Sequence, residues 1–79
     1  MEPRNLYPME KDWMMVFQTP DRIEAYYLLS ELQQQKIYAV VFEKKANIYI
    51  ADIQPPEYQI FTHYKQAEEA IDIIDNLTT

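Results

Sequence analysis

The order of apolar and polar residues along the chain predicts four strands and two helices. Short runs that are apolar at alternate positions indicate strands, and longer runs with apolar residues three and four apart indicate amphipathic helices. The predicted strands occupy 13–19, 37–44, 47–53 and 58–62, and the predicted helices occupy 21–35 and 65–77. The stretch 13–35, a strand followed directly by a helix, is the unit around which the rest of the chain is arranged.

The first two predicted strands are apolar on both faces, as expected of strands that are covered on two sides. Alternation divides the first strand into two faces: Trp13, Met15 and Phe17 against Met14, Val16 and Gln18. It divides the second and last strands in the same way: Ile37, Ala39 and Val41 against Tyr38, Val40 and Phe42, and Tyr58, Ile60 and Thr62 against Gln59 and Phe61. The third strand, 47–53, follows a hairpin turn predicted at 44–47.

The first helix has two possible starts. Thr19 can be the N-cap with Pro20 in the first helical position, or Asp21 can be the N-cap with Glu24 closing a capping box. The residues predicted to face the sheet are Ala25, Leu28, Leu29 and Leu32. Ile23 and Tyr27 fall on the opposite side, where they are either scattered surface residues or a contact surface for a partner.

The second helix has an apolar stripe and an acidic outer side. The stripe consists of Ala67, Ala70, Ile71, Ile74 and Leu77, with Ile73 at its edge, and the outer residues are Glu68, Glu69, Asp72 and Asp75. An acidic helix side is most simply a solvated surface.

Composition narrows the possible functions of this chain of 79 residues. There is no cysteine and only one histidine, which excludes disulfides and thiolate sites and disfavours any metal or metal cofactor. The net charge of −6 disfavours binding to nucleic acid or to anionic membranes. No apolar run spans a bilayer and no leader peptide is visible, so we expect a cytoplasmic protein.

The chain also contains no glycine, and this excludes phosphate-binding loops that depend on glycine. We expect any turn that needs a positive φ angle to use asparagine or aspartate instead. Residues 1–12 contain Pro3 and Pro8 without a regular period and form an irregular N-terminal arm. That arm either frays or packs against the domain or a neighbour through Leu6, Tyr7 and Met9.

Together these elements predict one α+β domain over 13–79. The predicted architecture is a ferredoxin-like, split βαβ two-layer sandwich, with a mainly antiparallel sheet and two helices on one face. The first two strands would be parallel with another strand between them. Because two helices cover one face only, a second subunit, the arm or the 44–57 segment must cover the other face. The residues predicted for such an interface are Met14, Val16, Ile23, Tyr27 and Tyr38.

The chain resembles a known family over roughly 12–77. The runs that carry the resemblance are Asp12–Phe17 followed by Thr19, Ala25 and Leu32, then Ile37–Val40, Tyr58–Thr62 and Ala67–Ile71. They are similar to the prokaryotic signal transducing protein family, small bacterial domains of unknown function grouped with the PII (GlnB-like) superfamily. The family usually has a glycine where this chain has Lys36, and proline and acidic residues where it has 63–65. The resemblance implies the fold and a signalling context, and no residues match the nucleotide site of PII proteins.

The function expected from these observations is a non-enzymatic regulatory or protein-interaction module that forms a homo-oligomer or binds a protein partner. An alternative is a sensor of a small anionic ligand, with a binding site formed by Lys44, Lys45, His63 and Lys65. No catalytic motif is present, because a histidine base would need a nucleophile and the single serine, Ser30, lies on the first helix. We therefore expect no catalytic residues and no cofactor.

Overall fold

Strand β3 (Glu57–His63) is the centre of a three-stranded antiparallel sheet, with β1 (Trp13–Thr19) on one side and β2 (Ala39–Lys44) on the other. The computed structural model describes residues 12–44 and 56–79. Within these ranges helix α1 (Arg22–Gln34) connects β1 to β2, and helix α2 (Tyr64–Thr78) follows β3 without a loop. The chain is therefore an α+β protein in its described part, as the sequence predicts.

The two outer strands are parallel to each other, because each pairs antiparallel with β3. This is the predicted arrangement of the first two strands with another strand between them. The described part contains three strands, and the strand predicted at 47–53, the turn at 44–47 and most of the arm predicted at 1–12 lie outside the described residues. Strand β2 begins at Ala39, two residues later than predicted.

Both helices pack on the same face of the sheet and share one apolar core with it. The fully buried residues of this core are Leu28 and Leu32 of α1, Ala70 and Ile74 of α2, Ile37 just before β2, Ala39 of β2 and Ile60 of β3. Burying a leucine or isoleucine side chain contributes about 1.5–3 kcal/mol relative to leaving it exposed. The predicted inner stripe of α1 is confirmed, with Leu29 partly buried at its edge.

Asp21, the second of the two predicted N-caps, is the N-cap of helix α1. The Asp21 side chain accepts hydrogen bonds from the amides of Ile23 and Glu24 at 2.9 and 3.2 Å. Glu24 does not close a capping box. Its carboxylate accepts instead from the Thr19 hydroxyl at 2.8 Å, and that hydroxyl accepts from the Asp21 amide at 3.0 Å. The last residue of β1 is thereby tied to the first turn of the helix.

Helix α1 ends in a Schellman motif whose left-handed residue is Lys36. The Lys36 amide donates to the Gln33 carbonyl and the Ile37 amide donates to the Leu32 carbonyl, both at 3.0 Å. Lys36 has a φ angle of 66° and is the one residue with positive φ among those described. The expectation that asparagine or aspartate would take such positions was therefore wrong, because the hydrogen bonds and the buried Ile37 that follow impose this backbone on lysine.

The inner side of α2 differs from the predicted stripe at one position. Ala67, Ala70 and Ile74 are buried and Leu77 is partly buried, as predicted. Ile71 is exposed, and Ile73 packs against the core instead. The line Ala67, Ala70, Ile74 and Leu77 faces the sheet, and Ile71 is turned about 100° away from Ala70 around the helix axis.

Candidate interaction surface

The sheet face turned away from the two helices, here called the open face, is defined by the register of the strands. Residues directly opposite each other in an antiparallel pair have side chains on the same side. Since Ile60 faces the helices, the neighbouring positions Gln59 and Phe61 face away, and their partners on β1 and β2 face away with them. The open face consists of Trp13, Met15 and Gln18 from β1, Val40, Phe42 and Lys44 from β2, and Glu57, Gln59, Phe61 and His63 from β3.

A β-bulge at Val16 changes which residues of β1 belong to this face. Met15 pairs with Phe61, and Phe17 pairs with the very next residue, Ile60, so Val16 has no partner of its own. The extra residue puts Trp13 and Met15 on the open face and Phe17 on the helix side. The predicted strict alternation is therefore correct for β2 and β3 but wrong for β1 beyond Met15.

The bulge also corrects two of the predicted interface residues. Met14 pairs with Thr62, which places it on the helix side at the edge of the sheet. Val16 is half-buried and packs against the core. The exposed methionine of the open face is Met15, whose side chain is 45% exposed against 46% for Met14. Two adjacent methionines of equal exposure thus lie on opposite faces.

Aromatic rings gather at the end of the open face where β1 begins and β3 ends. The ring of Trp13 meets that of Tyr38 edge to face with centroids 5.3 Å apart, and it lies 6.5 Å from the imidazole of His63. The His63 imidazole lies 4.7 Å from the ring of Tyr64. Tyr38, a predicted interface residue, is 66% exposed and borders the open face one residue before β2 begins. The Tyr64 amide donates to the Asp12 carbonyl at 2.8 Å, which fixes the start of β1 against the start of α2.

Gln66 of α2 holds the segment that carries Tyr38. Its side-chain Oε1 accepts from the Tyr38 amide at 3.1 Å, and its Nε2 donates to the Lys36 carbonyl at 3.3 Å. The amide group therefore spans the residues on either side of Ile37 and connects the approach to β2 with the first turn of α2. Sequence reasoning missed Gln66 altogether.

Charge is distributed unevenly between the two layers. The acidic residues of the helical layer are Asp21, Glu24, Glu31, Glu68, Glu69, Asp72 and Asp75. Among the described residues of the open face the single carboxylate is that of Glu57, which lies opposite Lys44 in the register. A chain with a net charge of −6 thus has a face on which opposite charges balance and most side chains are uncharged.

A second apolar area lies on the outer side of α1. Ile23 and Tyr27, both predicted interface residues, are 80% and 49% exposed.

Tyr26 of α1 contacts a cation and a carboxylate. The guanidinium of Arg22 lies 5.3 Å from the centre of the Tyr26 ring, and the Tyr26 hydroxyl donates to Glu43 of β2 at 2.5 Å. This hydrogen bond to a carboxylate is the main cause that raises the pKa of Tyr26 above its ordinary value, and burial adds to it.

The residues predicted for an anion site are not brought together. Lys44 lies opposite Glu57 at one end of β3, and His63 is the last residue at the other end. Six residues of strand separate the two ends, which is roughly 20 Å. Lys65 lies next to His63, whose Nδ1 accepts from the Lys65 amide at 3.2 Å as the N-cap of α2. Lys45 lies outside the described residues.

The described residues contain no group of three or more histidine, cysteine or acidic side chains that could hold a metal ion. Neither α1 nor α2 is long and apolar enough to cross a membrane.

The residues that sequence reasoning missed share one property, since their placement depends on contacts distant in sequence. Trp13 and Met15 were assigned to a face from alternation alone, and nothing in the sequence around Val16 marks the bulge. Gln66 bonds to residues 28 and 30 positions away. Gln66 is the third residue of α2, where a glutamine commonly bonds back to the N-cap amide, so the sequence carries no signal for its bonds to Tyr38 and Lys36.

No protein-family model, no curated protein and no solved structure matches the chain.

Proposed function

We propose that this protein is a non-enzymatic interaction module that self-associates through its open face, in a regulatory role of the kind suggested by the family it resembles. The observation that carries the proposal is the pair of exposed side chains Met15 and Tyr38 around the half-buried Trp13, at a sheet face against which neither described helix packs. Aromatic residues and methionine are enriched in protein–protein interfaces, and charged residues are depleted at their centres. The corresponding fold is a ferredoxin-like split βαβ sandwich in which the two described helices cover one face of the sheet.

Charge favours a second copy as the occupant of this face. Two copies of a protein with a net charge of −6 repel each other unless they meet where acidic groups are few. The open face meets this condition. Its one described carboxylate, Glu57, lies opposite Lys44, and the acidic residues of the two helices lie in the helical layer. A two-fold arrangement would place the open face of one copy against the open face of the other.

The size of the face suggests a weak complex. Three strands of about seven residues cover roughly 14 Å by 24 Å, whereas stable interfaces bury about 800 Å² on each partner. We therefore expect association in the micromolar range and a concentration-dependent equilibrium between monomer and dimer. Such an equilibrium suits a regulatory module, because its state responds to protein concentration.

The test compares two matched variants by sedimentation velocity over a series of concentrations. Met15→Glu places a charge in the open face, and Met14→Glu places the same charge one residue away at an equally exposed position on the helix side. The proposal expects a dimer for the wild type and for Met14→Glu, and a monomer for Met15→Glu. A wild type that stays monomeric at every concentration would overturn it and leave the arm or the 44–57 segment as the cover. Loss of the dimer in Met14→Glu alone would also overturn it.

A further inference from the structure

We infer that Gln66 is a positioning residue for this interface, because it fixes Tyr38 in the orientation in which it meets Trp13. The inference rests on the proposed self-association through the open face and assigns a role in it to a residue of the opposite layer. Gln66 does not belong to the open face.

The first step is that Tyr38 needs support from outside the sheet. It lies one residue before β2 begins, so the pairing of β2 with β3, which starts at Ala39 and Thr62, does not hold it. Tyr38 is 66% exposed, and among the described residues its ring contacts one other aromatic ring, that of Trp13. Without another restraint, an exposed residue at this position is free to take several orientations.

The second step is that Gln66 supplies this restraint with both ends of its amide. Oε1 accepts from the Tyr38 amide and Nε2 donates to the Lys36 carbonyl. Lys36 is the residue with positive φ, so its backbone has a conformation that lysine does not favour. The two hydrogen bonds fix the backbone on both sides of the buried Ile37, and Tyr38 is thereby directed across the end of β3 towards Trp13.

The third step connects this arrangement to association. When a binding surface is correctly formed in only a fraction of molecules, the apparent affinity falls by that fraction. A hydrogen bond of ordinary strength changes such an equilibrium by about three- to tenfold. Loss of both Gln66 bonds should therefore weaken the dimer by about tenfold, although Gln66 itself does not belong to the open face.

The experiment uses the full chain with Gln66→Met, which keeps the length of the side chain and removes both hydrogen bonds, and Gln66→Glu, which keeps the acceptor for the Tyr38 amide. Gln33→Met, at an exposed glutamine of α1, is the control for the substitution itself. Each is measured by sedimentation for the dimerisation constant, by near-ultraviolet circular dichroism for the Trp13 environment at a concentration where the protein is monomeric, and by urea unfolding.

We expect dimerisation to weaken in the order wild type, Gln66→Glu, Gln66→Met, with a changed Trp13 signal in the monomer and a control like the wild type. Partial rescue by glutamate separates positioning of Tyr38 from a general effect on folding. If the wild type associates and Gln66→Met associates equally well, the inference is overturned while the proposed function stands. If the wild type does not associate at all, both the proposed function and the role of Gln66 in the interface are overturned.

Discussion

Trp13 of β1 and Tyr38, which directly precedes β2, meet edge to face with ring centroids 5.3 Å apart, although the central strand β3 lies between β1 and β2. The contact closes the aromatic end of the open face over His63. Edge-to-face pairs contribute about 0.5–1.5 kcal/mol beyond the area that they bury. The pair is thus both a modest source of stability and a spectroscopic reporter, because Trp13 is the only tryptophan of the chain.

Replacing Tyr38 with alanine should expose Trp13 on one side. We expect its fluorescence maximum to shift to longer wavelength and the free energy of unfolding to fall by about 1 kcal/mol, since the edge-to-face contact is lost. Tyr27→Ala is the matched control, because Tyr27 is also an exposed tyrosine but lies on the outer side of α1. An unchanged Trp13 emission in Tyr38→Ala would contradict the contact.

Lys36 is predicted to be a site where glycine stabilises the protein. A non-glycine residue in the left-handed region costs about 1–2 kcal/mol, and the greater freedom of glycine in the unfolded chain offsets about half of this. Lys36→Gly should therefore raise the free energy of unfolding in urea by about 0.5–1 kcal/mol. Lys36→Ala removes the same charge and keeps the strained backbone, so it should bring no gain. Equal effects of glycine and alanine would show that backbone strain is not the cause.

The hydroxyl of Thr62 is fully buried and has no hydrogen-bond partner among the described residues. An unsatisfied buried polar group costs about 1–3 kcal/mol. Thr62→Val removes the hydroxyl and keeps the shape of the side chain, so it should raise the melting temperature and the free energy of unfolding by about 1 kcal/mol. Thr62→Ser keeps the hydroxyl and loses a buried methyl group, and it should be less stable than the wild type. A valine variant less stable than the wild type would mean that the hydroxyl has a partner.

The hydrogen bond from Tyr26 to Glu43 should make stability depend on pH in the alkaline range. The bond raises the pKa of Tyr26 in the folded protein above its ordinary value of 10.0. A raised folded pKa means that the stabilising contribution is fully present below pH 10 and is lost as pH rises through the folded pKa. Urea unfolding of the wild type should therefore show a loss of stability in this window that is smaller in Tyr26→Phe.

The tyrosinate absorbance gives an independent check on the same group. Subtracting the alkaline titration of Tyr26→Phe from that of the wild type isolates Tyr26 from the other six tyrosines. In Glu43→Gln the neighbouring negative charge is gone, so the isolated titration should move back towards the ordinary pKa. A difference titration that is the same with and without Glu43 would refute the assignment of the cause.

The regular parts of the fold were predictable because their patterns are local. Strands β2 and β3 keep a strict period of two, so the division of Ile37, Ala39 and Val41 from Tyr38 and Val40 agrees with the structure. The inner stripe of α1 follows from spacing alone. In α2 the same reasoning misplaced Ile71, because Ile71 and Ile73 lie on opposite flanks of the buried line and only packing against the sheet decides which flank is covered.

The candidate surface was less predictable, because it depends on features without a local signal. The bulge at Val16 occurs in a chain without glycine and reverses the faces on which Met14 and Met15 were expected. Lys36 adopts a left-handed conformation that its residue type disfavours, since the burial of Ile37 outweighs the local preference. Lys44 and His63 are separated because Lys44 of β2 lies opposite the first residue of β3, Glu57, and His63 is the last residue of β3.

The hydrogen bond between the Tyr64 amide and the Asp12 carbonyl determines where the chain enters the sheet. Whatever is joined before Asp12 is attached within one residue of Trp13, at the aromatic end of the open face. Thr79 follows the other end of α2, about 22 Å away along a helix of 15 residues. A fusion partner joined directly to Asp12 would therefore lie beside the proposed contact surface, whereas a reporter joined after Thr79 would lie at the other end of α2.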